Sequence, residues 1–269
     1  MLGSLDERLP VNRGLSPLRF SVVDFLNARP LIWGLLEEPP PGVEVSRDLP
    51  SVCADKLASG EADVGLIPSI EYQRIPGLTV VGGLGIAAAS EVRSVLLVSH
   101  VSREKIRTVS LDPASRTSAV LTRLLLKRRY GVEPEYRDGG GDADASLVIG
   151  DPALKTRQDG HVVLDLAAEW RAFSGHPFVF AFWAVRNGVR QREAAELVRA
   201  SYEAGRRDFP RLVAREAAES GLSEAVVEDY LRHSLHYDLD AGDLAGLDRF
   251  YRLAAEDGLI PQVRPLRSF

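Results

Sequence analysis

From Leu18 onward, short runs rich in β-branched residues alternate with stretches whose apolar positions recur every three or four residues. Strands alternating with amphipathic helices give that pattern, and it predicts an α/β protein with mainly parallel sheets. "LRFSVV" reads as the first strand, followed by a helix from about Pro30; "PPPG" breaks the chain and "VEVSRDL" supplies a second strand. "SVCADKLASG" reads as a helix with Ser51 as N-cap, Val52 and Leu57 on its buried side and Gly60 at its end. "ADVGLIP" is a third short strand. "LTVVGGLGIAAASEVRSVLLVSH" carries two extended runs parted by a polar step at Ser90 to Arg93.

A fresh unit then opens with "TVSLD", a helix from about Ser115 to Tyr130, "PEYRD", the turn-forming "GGGDADA" and "SLVIGD". "HVVLDL" and a helix from Ala167 precede a second extended run at Phe178, and from Gly188 the chain is almost wholly helical. Two extended crossings predict two lobes: residues 18–98 with 186–269 as one, and 99–185 as the other, behind a loose tail at 1–17. A length of 269 residues suits that division, since single cores stop growing near ~250–300. The cleft between such lobes is a natural place to enclose a small molecule.

Composition narrows the choice of partner. A net charge of −5 offers no bulk attraction to phosphate backbones or anionic lipid, so nucleic acid is not expected. Cys53 is the only cysteine, which excludes an intramolecular disulfide and a CxxC zinc or redox site, and fits a reducing cytoplasm. The segment before Leu18 has charges and prolines where a secretory signal needs an apolar core, and "PFVFAFWAV" falls far short of the ~20 residues of a membrane span. A soluble protein without membrane insertion is expected.

The candidate chemistry gathers at strand ends. Asn27 follows the first strand at the carboxyl end, where open sheets bind ligands, and its amide can orient a hydroxyl or carboxylate; the plainer reading is an Asx turn. Pro30 at the first helical position would make Arg29 the N-cap. In "LDPASRTSAVLTRLLL", Ser115, Arg116, Thr117 and Ser118 cluster where a helix begins, so hydroxyls and free N–H groups could hold a carboxylate, with Arg116 as a fixed cation or a solvent-facing residue. Ser94 lies at the edge of a lobe-connecting strand, without a GxSxG elbow around it. Ser69 in "IPSIEY" binds or caps, and Asp151 in "VIGDPAL" holds a hydroxyl or caps a helix.

His233 and His236 are three apart where a helix is expected to end, yet nothing around them completes a metal site, so no metal is expected. "DGGGDAD" lacks the Lys-Ser/Thr of a phosphate loop, and "VVGGLG" does not open a helix, so no nucleotide cofactor is expected.

Taken in order, "FLNARPL", "LASGEADVGLIPSIEY", "VRSVLL", "LDPASRTSAVLTRLLL", "VIGDPAL" and "EWRAFSGHPFVFAFWAVR" resemble the menaquinone biosynthesis protein A family, the chorismate dehydratases of the futalosine route. The resemblance runs from Leu18 to about Leu253 and implies a two-lobe fold like the type 2 periplasmic binding proteins, used inside the cell as an enzyme. It implies removal of water from chorismate to give 3-[(1-carboxyvinyl)oxy]benzoate, without cofactor or metal. Asn27 matches the asparagine of the family's opening motif. With Ser94 it would position the substrate and its departing hydroxyl, while the enolpyruvyl carboxylate of chorismate accepts the ring proton. Ser69, Ser115, Arg116, Thr117, Ser118 and Asp151 would bind substrate, with Thr117 and Ser118 on a carboxylate. One departure stands out: Phe25 occupies a position where the family motif carries an aromatic hydroxyl. Two other readings remain at this point. The sister enzyme, 1,4-dihydroxy-6-naphthoate synthase, would need a cleft histidine such as His176; a solute-binding protein would capture a small anion without chemistry.

Overall fold

The computed structural model describes residues 16–156 and 161–269. All but the last two residues of the expected tail lie outside that range. The chain begins with β1 (Leu18–Val23), α1 (Arg29–Glu37), β2 (Val43–Asp48), α2 (Pro50–Ser59), β3 (Val64–Pro68), α3 (Glu71–Arg74) and β4 (Leu78–Ala88). It continues with β5 (Val95–Ser99), β6 (Thr108–Leu111), α4 (Arg116–Tyr130), β7 (Glu135–Asp138), β8 (Ala145–Ile149), α5 (Asp151–Leu154), β9 (Val162–Asp165) and α6 (Leu166–Ser174). Then β10 (Phe178–Arg186) leads into α7 (Gln191–Arg207), α8 (Phe209–Ser220), α9 (Glu224–Asp229), β11 (His236–Asp238) and α10 (Ala241–Glu256).

Two sheets centre the two lobes. The first has the order β11-β4-β10-β3-β1-β2 and the second β7-β6-β8-β5-β9. Both are mixed, contrary to the mainly parallel sheets expected: β1 runs parallel to β2 and β3, while β10 is antiparallel to β3 and β4, and β5 to β8 and β9. The reason is the path between lobes. The chain leaves the first sheet along β4 and returns beside it along β10, and neighbouring out-and-back strands pair antiparallel. Sheet membership also puts the exchanges between Ala88 and Val95 and just before Phe178, so β5 sits in the second sheet and β10 in the first, where the sequence pattern put each in the other.

Buried strands carry the core. All of β3 is buried, as is β10 up to Arg186, which accounts for their unbroken apolar runs. Trp170, Phe178 and Phe250 meet edge to face at centroid distances of 5.0 to 6.0 Å and tie α6 and α10 onto β10. Helix α7 lies so close to α1 that a Cβ on Gly205 would stand 2.2 Å from the carbonyl oxygen of Pro30, which only glycine permits.

Helix starts differ from the expectation by a residue or two. Proline at a first-turn position explains both cases: α2 starts at Pro50 with Leu49 as N-cap and Ser51 inside it, and α1 starts at Arg29 with Ala28 as N-cap. Val52 is half-buried, while Leu57 is buried and Gly60 closes α2 in the left-handed conformation, as expected. His236, expected on a helix end, begins β11 and bonds through Nε2 to Asp243 at 2.8 Å.

Candidate active site

Between the lobes lies a cavity lined by residues of both, the position where proteins built of two lobes enclose small molecules. Its polar wall is Asn27, Ser94, Ser115, Thr117 and Ser118; apolar groups such as Phe25, Ile86, Val92, Phe180 and Leu235 supply the rest. Among the described residues, none that lines it carries an ionisable side chain.

The local sequence explains how Asn27 reaches this wall. Strand β1 stops at Val23, and a single 3-10 turn over Leu26–Ala28 intervenes before α1. Leu26 N–H donates to Asp151 Oδ1 across the cleft at 3.0 Å, and Ala28 N–H to the carbonyl of Phe25. Arg29 anchors the far side, with Nη2 donating to Asp24 at 2.8 Å and Nε to Glu216 at 2.9 Å. Asn27 is thus displayed by a turn held at both ends. Its Oδ1 is buried and has no hydrogen-bond partner among the described residues, so the amide serves no Asx turn and is free for a ligand.

Phe25 covers Gly150 from the opposite lobe. Gly150 has φ +65° and ψ −146°, and a Cβ there would stand 3.2 Å from the Phe25 ring, so both backbone angle and space require glycine. Asp151 itself does not line the cavity. Burial pushes its carboxyl above the ordinary range, partly opposed by the Leu26 N–H it accepts.

The start of α4 forms the second polar wall. Ser115 is its N-cap by position, yet its side chain makes no capping bond. The hydroxyls of Ser115, Thr117 and Ser118 and the unpaired first-turn N–H groups therefore face a common space with a favourable dipole behind them. Thr117 Oγ1 accepts from Ile70 N–H at 3.2 Å, joining the lobes. Ser69 is fully buried, donates to the carbonyl of Val179 at 2.8 Å and lies outside the cavity wall. Arg116 also points elsewhere: its Nη2 meets Asp55 at 2.8 Å and its Nη1 meets Glu71 at 3.1 Å, both on the facing lobe. Its charge is spent on joining the lobes. Any anion in the cavity is met by hydroxyls, amides and backbone N–H groups.

Ser94 enters from the mouth of β5 and is fully buried, its Oγ accepting from the hydroxyl of Tyr230 at 2.7 Å. Tyr230 was invisible to sequence reasoning, because in "SEAVVEDYLRHSL" it is one more apolar position of a helical stripe. Phe180 and Leu235 were missed for the same reason: an apolar cavity wall and an apolar core share one pattern. No histidine lines the cavity, and His176 stands outside it against Gly246. Burial pushes the Cys53 thiol up to about 12, which removes it as a nucleophile. Among the described residues no group of three or more His, Cys, Asp or Glu is placed to hold a metal, and no helix is long and apolar enough to cross a membrane.

Two α/β lobes joined by paired crossing strands and closed on one uncharged cleft define a protein of the periplasmic-binding-protein-like fold. Solved structures share it. A protein of Archaeoglobus fulgidus superposes with a TM-score of 0.75 at 17% identity, covering 91% of this chain and 98% of its own. The aliphatic sulphonate-binding protein SsuA of Escherichia coli gives 0.59 at 18%, covering 95% and 94%. A family model described as menaquinone biosynthesis matches residues 18–256, and the chain belongs to that family. Its curated relatives include the chorismate dehydratase of Thermus thermophilus, 31% identical over 88% of this chain and 94% of the relative, and that of Campylobacter jejuni, 26% identical over 87% and 96%.

Proposed function

We propose that this chain is a chorismate dehydratase, a hydro-lyase of the futalosine route to menaquinone, working in the cytoplasm without metal or nucleotide. The observation that carries the reading is the cavity wall, which among the described residues offers hydrogen-bonding groups and no ionisable side chain. The proposed chemistry asks for little else. The C–H bond at the ether-bearing ring carbon breaks, its electron pair becomes a ring double bond, and the neighbouring C–O bond breaks. Proton and hydroxide leave as water, and the ring becomes aromatic.

Such a reaction depends on positioning and on dipoles already in place, not on a protein nucleophile. Asn27 and Ser94 orient the reacting carbons and the departing hydroxyl. The α4 N-terminus with Ser115, Thr117 and Ser118 holds a substrate carboxylate. The enolpyruvyl carboxylate accepts the ring proton, since among the described residues the wall holds no base of its own. Arg116, Ser69 and Asp151 act on this reading by holding the lobes and the Asn27 turn together, and not by touching substrate. The sister enzyme's reading is disfavoured by the absence of a histidine from the wall.

The test mixes purified protein with chorismate and follows products by liquid chromatography with mass detection. A species lighter by one water with a benzoate-like ultraviolet spectrum is expected. A raised melting temperature with chorismate but no product would instead identify a binding protein.

A further inference from the structure

The strand that enters the second lobe does so through a strained turn clamped from several sides. Arg93 has φ +64°, the one non-glycine residue in the left-handed region among the described residues, and such a strained conformation persists only where its surroundings enforce it. They do enforce it. Val92 and Arg93 N–H groups donate to Asp165 Oδ2 at 3.0 and 2.6 Å, while Oδ1 of the same carboxylate caps α6 through Ala167 and Ala168. The Arg93 side chain reaches the other lobe, with Nε donating to Ser234 Oγ at 2.9 Å and the guanidinium paired with Asp229 at 2.8 Å. The product of this strain is the placement of the next residue, Ser94.

Helix α9 runs into a π-helical turn over Tyr230–Ser234, and such turns carry an extra residue that redirects side chains. Leu235, directly after it, lines the cavity, and Tyr230, at its start, meets Ser94. The proton order of that pair follows from counting partners. Tyr230 is 1% exposed, and its hydroxyl has no other partner among the described residues. Were Ser94 the donor, the phenol proton would be buried without an acceptor, which is costly. With Tyr230 as donor no group is orphaned, because the Ser94 O–H opens onto the cavity. Burial pushes the phenol further above its ordinary pKa, so it keeps that proton.

We propose that Tyr230 is a positioning residue for the dehydration: by donating to Ser94 Oγ it turns the Ser94 O–H into the cleft, toward the hydroxyl that leaves the substrate. This inference rests on the chorismate dehydratase reading. Tyr230 does not touch the substrate; it fixes the rotor that does.

A double-mutant cycle tests it. Tyr230→Phe is expected to lower kcat about tenfold, the scale of one hydrogen bond, with KM changed by less than about twofold. Ser94→Ala lowers kcat at least as far, and adding Tyr230→Phe to it lowers kcat no further. The double variant replaces both partners by apolar groups, so its melting temperature is expected to return toward that of the wild type. A Tyr230→Phe enzyme with wild-type kcat, or a loss that simply adds to that of Ser94→Ala, would overturn the proposal. Wild-type protein that leaves chorismate unchanged would overturn the underlying reading and this inference with it.

Discussion

Asn27→Ala is expected to cut kcat with chorismate by about 10²–10³-fold, the usual effect of removing one preorganised donor at a reacting centre. Fold stability should hardly change. The Asn27 amide supports no turn, and its Oδ1 has no partner among the described residues, so its removal costs the folded state no internal bond. Function and stability are thus separated at this position. Wild-type kcat at saturating chorismate would remove Asn27 from the chemistry. A large fall in melting temperature would show instead that the amide has a structural partner. Steady-state kinetics and a thermal melt on the same preparation read both.

Glu216→Ala is expected to destabilise the protein by about 3–5 kcal/mol, because it leaves a buried guanidinium with one of its two carboxylates missing. Arg29 is 5% exposed and Glu216 4%, and the pair links α1 to α8 at 2.9 Å. Asp24 remains as a partner, but it is exposed and shared with Arg47. Arg29 lies two residues beyond Asn27, so the same substitution should also loosen the turn that displays the amide and lower kcat below that of the wild type. Glu216→Gln keeps a hydrogen-bond acceptor and should cost less. Urea denaturation of the three proteins measures the difference, and a loss under about 1 kcal/mol for the alanine variant would mean that the pair contributes little to the fold.

Much of this arrangement was legible in the residues. The alternation of strand and helix, the two crossings and the strand-end positions of Asn27 and Ser115 to Ser118 follow from periodicity and turn chemistry, which act over a few residues. What depended on distant partners was not legible. Arg116 resembles an anion-binding cation until Asp55 and Glu71 are brought against it from more than forty residues away. Ser69 resembles a cleft hydroxyl until the carbonyl of Val179 takes its proton. Tyr230 is an aromatic on an apolar stripe until a π turn and the strained Arg93 bring it to Ser94. The direction of β5 and β10 was hidden for a similar reason, since an apolar run does not say which sheet it will join.

On the proposed function, an uncharged cleft positions chorismate and the substrate supplies its own base. Measuring kcat from pH 6 to pH 9 with saturating chorismate tests this most directly. With no titratable side chain on the cavity wall among the described residues, kcat should stay level across that range while the product lighter by one water accumulates. A bell-shaped profile, or a limb falling with the titration of a single protein group, would place an acid or base of the protein in the chemical step and rule out the substrate as its own base.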